Sequence, residues 1–400
     1  MRARLRNLAL SVVLTALIVT LRLLSRVVPQ TRSVMVSAWP ETEGNATETA
    51  SALLRRYPGR VVWLGEAGEA PREVRELAEQ GMVLVPKAGL SGIWAYLRAE
   101  AVFFTHGLYG SPRPVARKPV VNLWHGDGPK DIRPGKAVGE LINSTYVVGS
   151  TPLFTHPTKC AAFAVPRERA IITGNPRTDQ MWRPAAAERL RRLGIVGAFV
   201  VWMPTWRRSR AVGAAREQGV DTTDDHAAVA RLLEQLRARG MQLVVKPHPM
   251  DADRREGEGC EGPEDPEDPE DMVIVAEDDL VRAGVTLYEL LGASAGLVTD
   301  YSSVWVDYLL LDRPMAFLVT DRHTFGRALF PADVLDWLPG ELVESGEQSF
   351  GHFLTDLDAA GALGAADRKD VAGRIGLTQT VTAADDLLDA LAERGVLRLR

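Results

Sequence analysis

The chain has 400 residues, of which 46% are hydrophobic, and this length predicts two domains because one core rarely organises more than about 250 residues. The formal net charge of -5 argues against a nucleic-acid-binding function, which requires a strong basic excess. The cysteines Cys160 and Cys260 have no CxxC or Cys/His ligand spacing, which argues against a disulfide framework and a structural zinc.

The first predicted element is an amino-terminal amphipathic helix within residues 1–32. Residues 8–21 are almost wholly apolar, and arginines flank them on both sides. On a helical wheel, Arg4, Ser11, Thr15, Arg22 and Arg26 fall in one stripe. This pattern predicts a helix that lies in the membrane interface, with its arginines toward anionic headgroups. A single transmembrane anchor extended through residues 23–28 is the alternative, because the apolar run is shorter than the roughly 20 residues that span a bilayer.

Beyond residue 32, short apolar runs alternate with longer helical stretches, which is typical of a parallel α/β fold. The first series of predicted strands covers residues 61–64, 82–85, 102–105, 120–123, 146–148 and 171–173. The second series covers residues 199–203, 242–245, 273–275, 296–298 and 315–318. A charged helical stretch at 185–194 separates the two series. We therefore predict Rossmann-like domains at 33–185 and 186–400, with their sheets facing an interdomain cleft.

Two further segments belong to the second half of the chain. Residues 251–271 are dominated by Asp, Glu, Gly and Pro, and have too little apolar surface to offset the entropy of ordering. We predict that this segment is a disordered acidic loop. The last predicted element is an amphipathic helix at 380–397, with Leu387, Leu388, Leu391 and Val396 directed inward.

Polar clusters follow the carboxyl ends of five predicted strands. In open parallel sheets ligands bind at this edge, where the loops gather at a switch in the strand order. Gly and Pro allow the backbone to approach a ligand, and His, Arg, Ser and Thr supply donors suited to a pyrophosphate. The clusters are Trp124-His125-Gly126, Gly174-Asn175-Pro176-Arg177, Pro204-Thr205-Trp206-Arg207, Lys246-Pro247-His248-Pro249 and Thr299-Asp300-Tyr301-Ser302-Ser303.

Each cluster also has a structural interpretation when it is considered alone. Ser302 and Ser303 lie where a strand ends and a helix begins, a place that suits phosphate but more often holds a plain N-cap. His125 could be a packed core histidine, and Arg207 could be an ordinary surface charge. The occurrence of five such clusters at the same kind of position favours a phosphate-binding site between the two domains.

These motifs resemble those of the CDP-glycerol glycerophosphotransferases, the teichoic-acid primases and polymerases. The resemblance covers roughly residues 90 to 345, and it continues after Ser303 through Val304-Trp305-Val306-Asp307. It implies the GT-B architecture, with an acceptor domain at 33–185 and a nucleotide-donor domain at 186–400. It also implies CDP-glycerol as the donor and CMP as the leaving group. It also implies a peripheral protein on the cytoplasmic face of the membrane, with a membrane-bound polyol-phosphate, lipid-linked or glycan acceptor. One departure is the segment Asp127-Gly128-Pro129-Lys130-Asp131, where the family usually carries Thr-Pro and a lysine.

The resulting hypothesis assigns roles to individual residues. His125 is predicted to be the general base for the attacking hydroxyl, and His248 to stabilise charge on the departing phosphate. The sequence requires no metal cofactor, although Asp127 and Asp131 leave a Mg²⁺ contribution open. The predicted donor-binding residues are Gly126, Lys130, Arg177, Thr205, Arg207, Lys246, Ser302, Ser303 and Asp307.

Two other functions stay open at this point. A GT-B glycosyltransferase or a ribitol-phosphate transferase would use another nucleotide donor with the same architecture. An inactive membrane-associated scaffold would keep the fold without the chemistry. The presence of His125, His248, Ser302 and Ser303 argues against the scaffold, because a retired site has no reason to keep all four polar groups.

Overall fold

The computed structural model describes residues 2–66, 68, 70–132, 142–204, 223–247, 271–326 and 328–400. The chain forms two compact units. The N-terminal unit comprises Met1–Asp127, Ile132–Asp179 and Gly376–Arg400, and the C-terminal unit comprises Gly128–Asp131 and Gln180–Ile375. Each unit is built on one parallel sheet.

Seven parallel strands form the sheet of the N-terminal unit, in the order β3-β2-β1-β4-β5-β6-β7. They are β1 (Ser33–Ser37), β2 (Arg60–Gly65), β3 (Val83–Pro86), β4 (Ala101–Phe104), β5 (Val120–Asn122), β6 (Tyr146–Gly149) and β7 (Ala170–Ile172). The prediction located every one of these strands except β1. This strand is fully buried at the centre of the sheet, but its apolar run is only Val-Met-Val between two serines.

Helices of the N-terminal unit alternate with its first strands. They are α1 (Arg2–Val27), α2 (Gly44–Arg56), α3 (Arg72–Glu79) and α4 (Leu90–Arg98). After β6 a short helical stretch consists of α5 (Pro152–Phe154), a π-helix (Thr155–Lys159) and α6 (Cys160–Ala162). Two 3-10 helices cover Arg167–Arg169 and Pro176–Trp182.

The amino-terminal helix α1 packs on α4 through part of its surface. Leu21 is buried in the apolar cluster that Leu17 also contacts, whereas Leu23 and Val27 are exposed. Among the residues that the structure describes, no helix combines the length and the apolar character that a membrane span requires. Binding of α1 to a membrane interface stays a prediction.

Six parallel strands form the sheet of the C-terminal unit, in the order β10-β9-β8-β11-β12-β13. They are β8 (Phe199–Met203), β9 (Gln242–Val245), β10 (Met272–Ile274), β11 (Gly296–Thr299), β12 (Met315–Leu318) and β13 (Glu341–Val343). The prediction missed only the short edge strand β13. Helices of this unit are α7 (Ala187–Arg191), α8 (Thr223–Arg237), α9 (Glu277–Ala283), α10 (Leu287–Ala293), α11 (Val304–Tyr308), α12 (Gly351–Asp358) and α13 (Ala365–Ile375), with 3-10 helices at Leu309–Leu311 and Val334–Trp337.

Both sheets share the strand order of a Rossmann-like fold, in which the direction of winding switches beside the first strand of the unit. In the C-terminal unit this switch lies between β8 and β11, where Thr299 Oγ1 donates to the Met203 carbonyl at 2.8 Å. The adjacent strands β9, β8 and β11 are the ones that three of the predicted clusters follow. The predicted acidic loop at 251–271 lies outside the described residues, apart from Asp271.

The last helix, α14 (Ala383–Glu393), belongs to the N-terminal unit although it follows the C-terminal unit in sequence. Leu387, Leu388 and Leu391 are fully buried in the same apolar cluster as Leu53 of α2. The predicted inward face of this helix is therefore confirmed. The predicted domain at 186–400 is corrected, because an amphipathic helix joins whichever core its apolar face completes.

Candidate active site

His125 lies at the carboxyl edge of the N-terminal sheet, just after β5. Its exposed imidazole stacks on His106, with ring centroids 4.6 Å apart and an interplanar angle of 6°. The Trp124 ring lies 4.0 Å from the His125 ring, and Trp39 meets His106 edge-on at 5.4 Å. Stacking of this kind restricts the rotation of an aromatic ring. The orientation of the His125 imidazole is therefore set by neighbouring rings.

Buried polar groups hold the backbone that carries His125. Trp124 has a φ of 53°, a conformation that bulky residues rarely adopt. Its N–H donates to Asn122 Oδ1 and its carbonyl accepts from Asn45 Nδ2, both at 3.0 Å. Arg177 Nη1 donates to the His125 carbonyl at 2.9 Å. These bonds fix the path of the chain as it leaves β5.

Arg177 has a different position from the one expected of a donor-binding residue. Its side chain is only 9% exposed, and its Nη1 lies 3.7 Å from Glu43 Oε1. Its backbone N–H donates to Asn45 Oδ1 at 3.1 Å. We therefore replace the predicted donor contact with a positioning role that acts through the backbone of His125.

His106 is a site residue that the sequence interpretation missed. It follows β4 and precedes Gly107, as His125 follows β5 and precedes Gly126. The His-Gly pair that follows a predicted strand could therefore have identified His106 from the sequence. The Nδ1 atom lies 3.0 Å from Thr105 Oγ1. Burial, together with the positive charge of Lys87, lowers the pKa of His106 to about 4, so its ring is neutral near pH 7.

Asp127, which departs from the family pattern, is a buried anchor. Its carboxylate is 0% exposed and pairs with Lys159 Nζ at 2.6 Å. It also accepts bonds from the N–H and hydroxyl of Ser150, the N–H of Thr151 and the hydroxyl of Thr155. Its negative charge is thus neutralised within the N-terminal unit. Within the described ranges, no group of three His, Cys, Asp or Glu side chains could hold a metal ion.

The chain enters the C-terminal unit immediately after Asp127. A Cβ atom built on Gly128 would lie 2.5 Å from the Cβ of Ser303, so a side chain at this position would force the two segments apart. Lys130 forms an isolated antiparallel bridge with Leu329. The segment that contains Lys130 is thus packed in the same unit as the two serines.

Ser302 and Ser303 lie in the loop between β11 and α11, and both are partly exposed. The Ser302 N–H donates to Asp300 Oδ1 at 3.2 Å, and the Val304 N–H donates to Ser302 Oγ at 3.4 Å. Side chains therefore already occupy two of the backbone N–H groups that could otherwise bind phosphate at this helix start. The potential of this loop to bind phosphate rests mainly on its two hydroxyl groups.

Asp307 and Lys246, two predicted donor-binding residues, are buried. Asp307 is 0% exposed and accepts a hydrogen bond from the Tyr288 hydroxyl at 2.6 Å. Lys246 is 4% exposed, and its Nζ lies 3.2 Å from Glu277 Oε2. The fully buried Asp307 therefore supports the stability of the C-terminal unit, whereas donor binding by Lys246 stays a prediction.

Three predicted site residues, Thr205, Arg207 and His248, lie outside the residues that the structure describes. The strands that precede them end as predicted, β8 at Met203 and β9 at Val245. The roles of these three side chains stay predictions.

Comparisons with known proteins show the family of the chain. Residues 24–362 match the family model of the CDP-Glycerol:Poly(glycerophosphate) glycerophosphotransferases. A teichoic acid glycerol-phosphate transferase of Staphylococcus aureus is 27% identical over 268 residues, which cover 60% of this chain and 61% of that protein. A teichoic acid ribitol-phosphate primase of Bacillus spizizenii is 24% identical over 234 residues, which cover 51% and 52%. The matches thus span between half and two thirds of these relatives.

The fold is also found among solved structures. The wall teichoic acid polymerase TagF superposes with a TM-score of 0.65 at 16% identity, and the match covers 98% of both chains. Similarity at this level of identity concerns the fold alone, and it confirms the predicted α/β class. The family match, which covers most of the sequence, shows more: the chain belongs to the CDP-glycerol:poly(glycerophosphate) glycerophosphotransferase family.

Proposed function

We propose that the protein transfers glycerol phosphate from CDP-glycerol to a hydroxyl group of a membrane-associated glycan or lipid-linked acceptor and releases CMP. Family membership supports glycerophosphate transfer, and the names of both curated relatives belong to teichoic acid synthesis. The structural support comes from the residues at the carboxyl edges of the two sheets.

The observation that carries this proposal is the exposed but oriented imidazole of His125. A general base must reach the acceptor hydroxyl and keep its ring in one orientation. The stack on His106 restricts the ring, and the bond from Arg177 restricts the backbone. Exposure of the His125 side chain allows a substrate hydroxyl to approach it. A histidine that served only the core would be buried instead.

The covalent chain limits the distance between His125 and Ser303. Gly128, which packs on Ser303, follows His125 by three positions. Three residues of fully extended chain span at most about 11 Å. We therefore infer that a diphosphate bound by the hydroxyls of Ser302 and Ser303 can meet an acceptor hydroxyl activated by His125.

In the proposed reaction the acceptor hydroxyl attacks the β-phosphorus of CDP-glycerol in line with the leaving CMP. His125 accepts the hydroxyl proton while the new O–P bond forms, and CMP departs with the electron pair of the broken P–O bond. The hydroxyls of Ser302 and Ser303 donate to diphosphate oxygens. We retain His248, with Thr205 and Arg207, as proposed stabilisers of the departing charge. The mechanism as proposed uses no metal ion.

We further propose that the protein acts as a peripheral protein at the cytoplasmic face of the membrane. Helix α1 exposes Leu14, Val19, Leu23 and Val27, and Trp94 of the neighbouring α4 is 53% exposed. Aliphatic and aromatic side chains on adjacent helices suit insertion at the headgroup level. Leu23→Glu combined with Val27→Glu should reduce cosedimentation with phosphatidylglycerol vesicles, since both changes add charge to this surface.

Leu363→Glu is the matched control for the vesicle experiment, because Leu363 is 63% exposed but belongs to the C-terminal unit. This change should leave cosedimentation intact. Equal binding of all variants to vesicles would contradict the peripheral attachment through α1 and α4.

Donor selectivity tests the proposed chemistry. The purified full chain would be incubated separately with CDP-glycerol, CDP-ribitol and UDP-sugars, and released nucleotide would be quantified with and without acceptor. We expect acceptor-dependent CMP release from CDP-glycerol. Preference for CDP-ribitol would indicate a ribitol-phosphate transferase, and UDP release would indicate a glycosyltransferase. No binding of any cytidine nucleotide in calorimetry would favour the inactive scaffold.

A further inference from the structure

A cavity of about 1030 Å³ opens on the N-terminal unit, at the edge of the sheet opposite to His125. Its lining includes residues that directly precede four strands, namely Arg32 before β1, Glu100 before β4, Thr145 before β6 and Arg169 before β7. These are the amino ends of strands, whereas His125 follows a carboxyl end. Because each residue of a strand advances about 3.3 Å, the sheet itself separates this cavity from the candidate active site.

The walls of the cavity carry a strong positive charge. Five arginines, Arg32, Arg117, Arg169, Arg394 and Arg398, contribute to its lining. The acidic residue in the lining is Glu100, whose Oε1 accepts a hydrogen bond from the Tyr57 hydroxyl at 2.5 Å. Five positive charges thus face one negative charge, in a chain whose total formal charge is -5. An excess of positive charge around one cavity favours the binding of an anion.

The guanidinium groups of the cavity are available to a ligand. None of the five forms an ion pair with a carboxylate within the part of the chain that the structure describes. Arg117 Nη1 donates to the Arg26 carbonyl at 2.9 Å, and Arg394 Nη1 donates to the Ala390 carbonyl at 3.3 Å. Each guanidinium carries five N–H donors, so one hydrogen bond to a carbonyl leaves most of the N–H donors for other partners.

We propose that this arginine cavity binds a polyol chain that carries several phosphodiester groups, the chemical class of a growing product of the proposed reaction. The proposal rests on the proposed function for the identity of that chain. Guanidinium groups bind phosphate oxygens through paired hydrogen bonds, which makes arginine well suited to such a ligand. Thr145 and Tyr146 also contribute to the lining, and residues with hydroxyl groups add partners for the polyol oxygens.

The shape of the cavity distinguishes a chain from other anions. Its volume of about 1030 Å³ reaches the upper end of the roughly 300–1,000 Å³ typical of ligand pockets, so several phosphate groups fit at once. The cavity would hold one part of the product chain on the enzyme. The growing end of that chain would lie at the opposite edge of the sheet, where His125 is.

Binding of a synthetic oligo(glycerol phosphate) to the full chain, measured by calorimetry without any donor, tests this proposal. The lining variant combines Arg169→Ala with Arg398→Ala. The control variant combines Arg167→Ala with Arg400→Ala, which removes the same charge from exposed neighbours outside the cavity. We expect the dissociation constant to rise at least about tenfold in the lining variant and less than about twofold in the control.

Further measurements make each outcome decisive. Equal weakening in both variants would indicate unspecific attraction and would overturn the proposal, as would unchanged binding in the lining variant. Inorganic phosphate and phosphatidylglycerol vesicles are the comparison probes, and a loss confined to vesicles would assign the cavity to lipid headgroups instead. Thermal unfolding checks that the variants fold, and Arg169→Gln supplies a milder change if the double variant does not.

The same preparations separate this proposal from the proposed function. Acceptor-dependent CMP release by the unsubstituted chain reports the transferase, because the binding experiment contains no donor. Turnover without oligomer binding would refute the arginine cavity alone. Oligomer binding that depends on the lining arginines, without turnover of CDP-glycerol, would refute the transferase alone.

Discussion

The carboxyl edges of the two sheets differ in how they hold their candidate site residues. In the N-terminal unit an exposed imidazole, that of His125, is oriented by a stacked ring and a bonded backbone. In the C-terminal unit Ser302 and Ser303 lie in a turn that is supported by Asp300 and by the Val304 N–H. A base needs a fixed ring, whereas a hydroxyl rotates to suit its partner. The comparison predicts that the first edge governs the chemical step and the second governs donor binding.

Replacement of His125 should have the largest effect. His125→Ala removes the proposed base and should lower the kcat of CMP release by about 10³-fold, within the range usual for general base catalysis. Binding of CDP-glycerol, measured by calorimetry, should persist. His352→Ala, at an exposed position of the C-terminal unit, is the control. Turnover close to that of the unsubstituted chain would exclude His125 as the base.

Loss of the anchor beneath His125 should have the largest effect on stability. Lys159→Met leaves the buried Asp127 carboxylate without its cation, which should lower the free energy of unfolding in urea by about 3–5 kcal/mol. Arg72→Met breaks the exposed pair with Glu76 and should cost less than about 1 kcal/mol. Similar losses in both variants would show that the Asp127 pair does not anchor this edge.

Gly128 tests the packing of its segment on the serine loop. Gly128→Ala would place a Cβ against Ser303, and the displacement should lower kcat about 10-fold to 100-fold. Gly326→Ala is the matched control, because a Cβ there meets no atom within 4 Å. Steady-state kinetics that are equal for the two variants would remove the argument that chain continuity links Ser303 to His125.

The serine loop should affect binding more than chemistry. Ser302→Ala combined with Ser303→Ala removes two donors to a charged ligand and should raise the KM for CDP-glycerol about tenfold. The kcat should change less than it does in His125→Ala. Ser349→Ala, at an exposed position of the same unit, controls for loss of a hydroxyl. A fall in kcat with an unchanged KM would contradict this prediction, because it would assign the serine loop to the chemical step rather than to donor binding.

The effect expected for His106, the stacked partner of His125, concerns the pH dependence of stability rather than turnover. The pKa of His106 is about 4 in the folded chain and about 6.5 in an unfolded one. As the pH falls from about 6.5 to about 4, His106 of the unfolded chain gains a proton that the folded chain does not bind. The free energy of unfolding therefore decreases over this pH range. His106→Phe keeps a ring but removes the titration, and should lessen that decrease by about 1–3 kcal/mol. Denaturation curves whose pH dependence is unchanged would contradict this assignment.

Local sequence patterns predicted most of the strands and helices. They could not predict which distant elements pack together. Alternation of apolar runs with helical stretches located all strands but β1 and β13, which are among the shorter or less apolar runs. The apolar face of α14 was also predicted. Its assignment to the N-terminal unit was not, because an apolar stripe does not specify the core that it completes.

The sequence predicted where the candidate site residues lie better than it predicted the role of each side chain. A polar cluster behind a buried strand identified the edges that carry His125 and Ser303. The burial of Asp307 could not be predicted, because it depends on Tyr288, which belongs to another helix. The same reason applies to Arg177, whose side chain bonds the backbone of a residue from a distant part of the sequence. Charge and residue type alone do not distinguish a ligand contact from a structural bond.

The position of α14 also affects how the protein is made. Leu387, Leu388 and Leu391 leave the ribosome only after the whole C-terminal unit has been synthesised. Until then the apolar partners of these leucines, Leu53 among them, lack their cover, and nascent chains with such surfaces attract chaperones or aggregate. A chain truncated before α14 would therefore be damaged in its first-made half rather than in the half just completed.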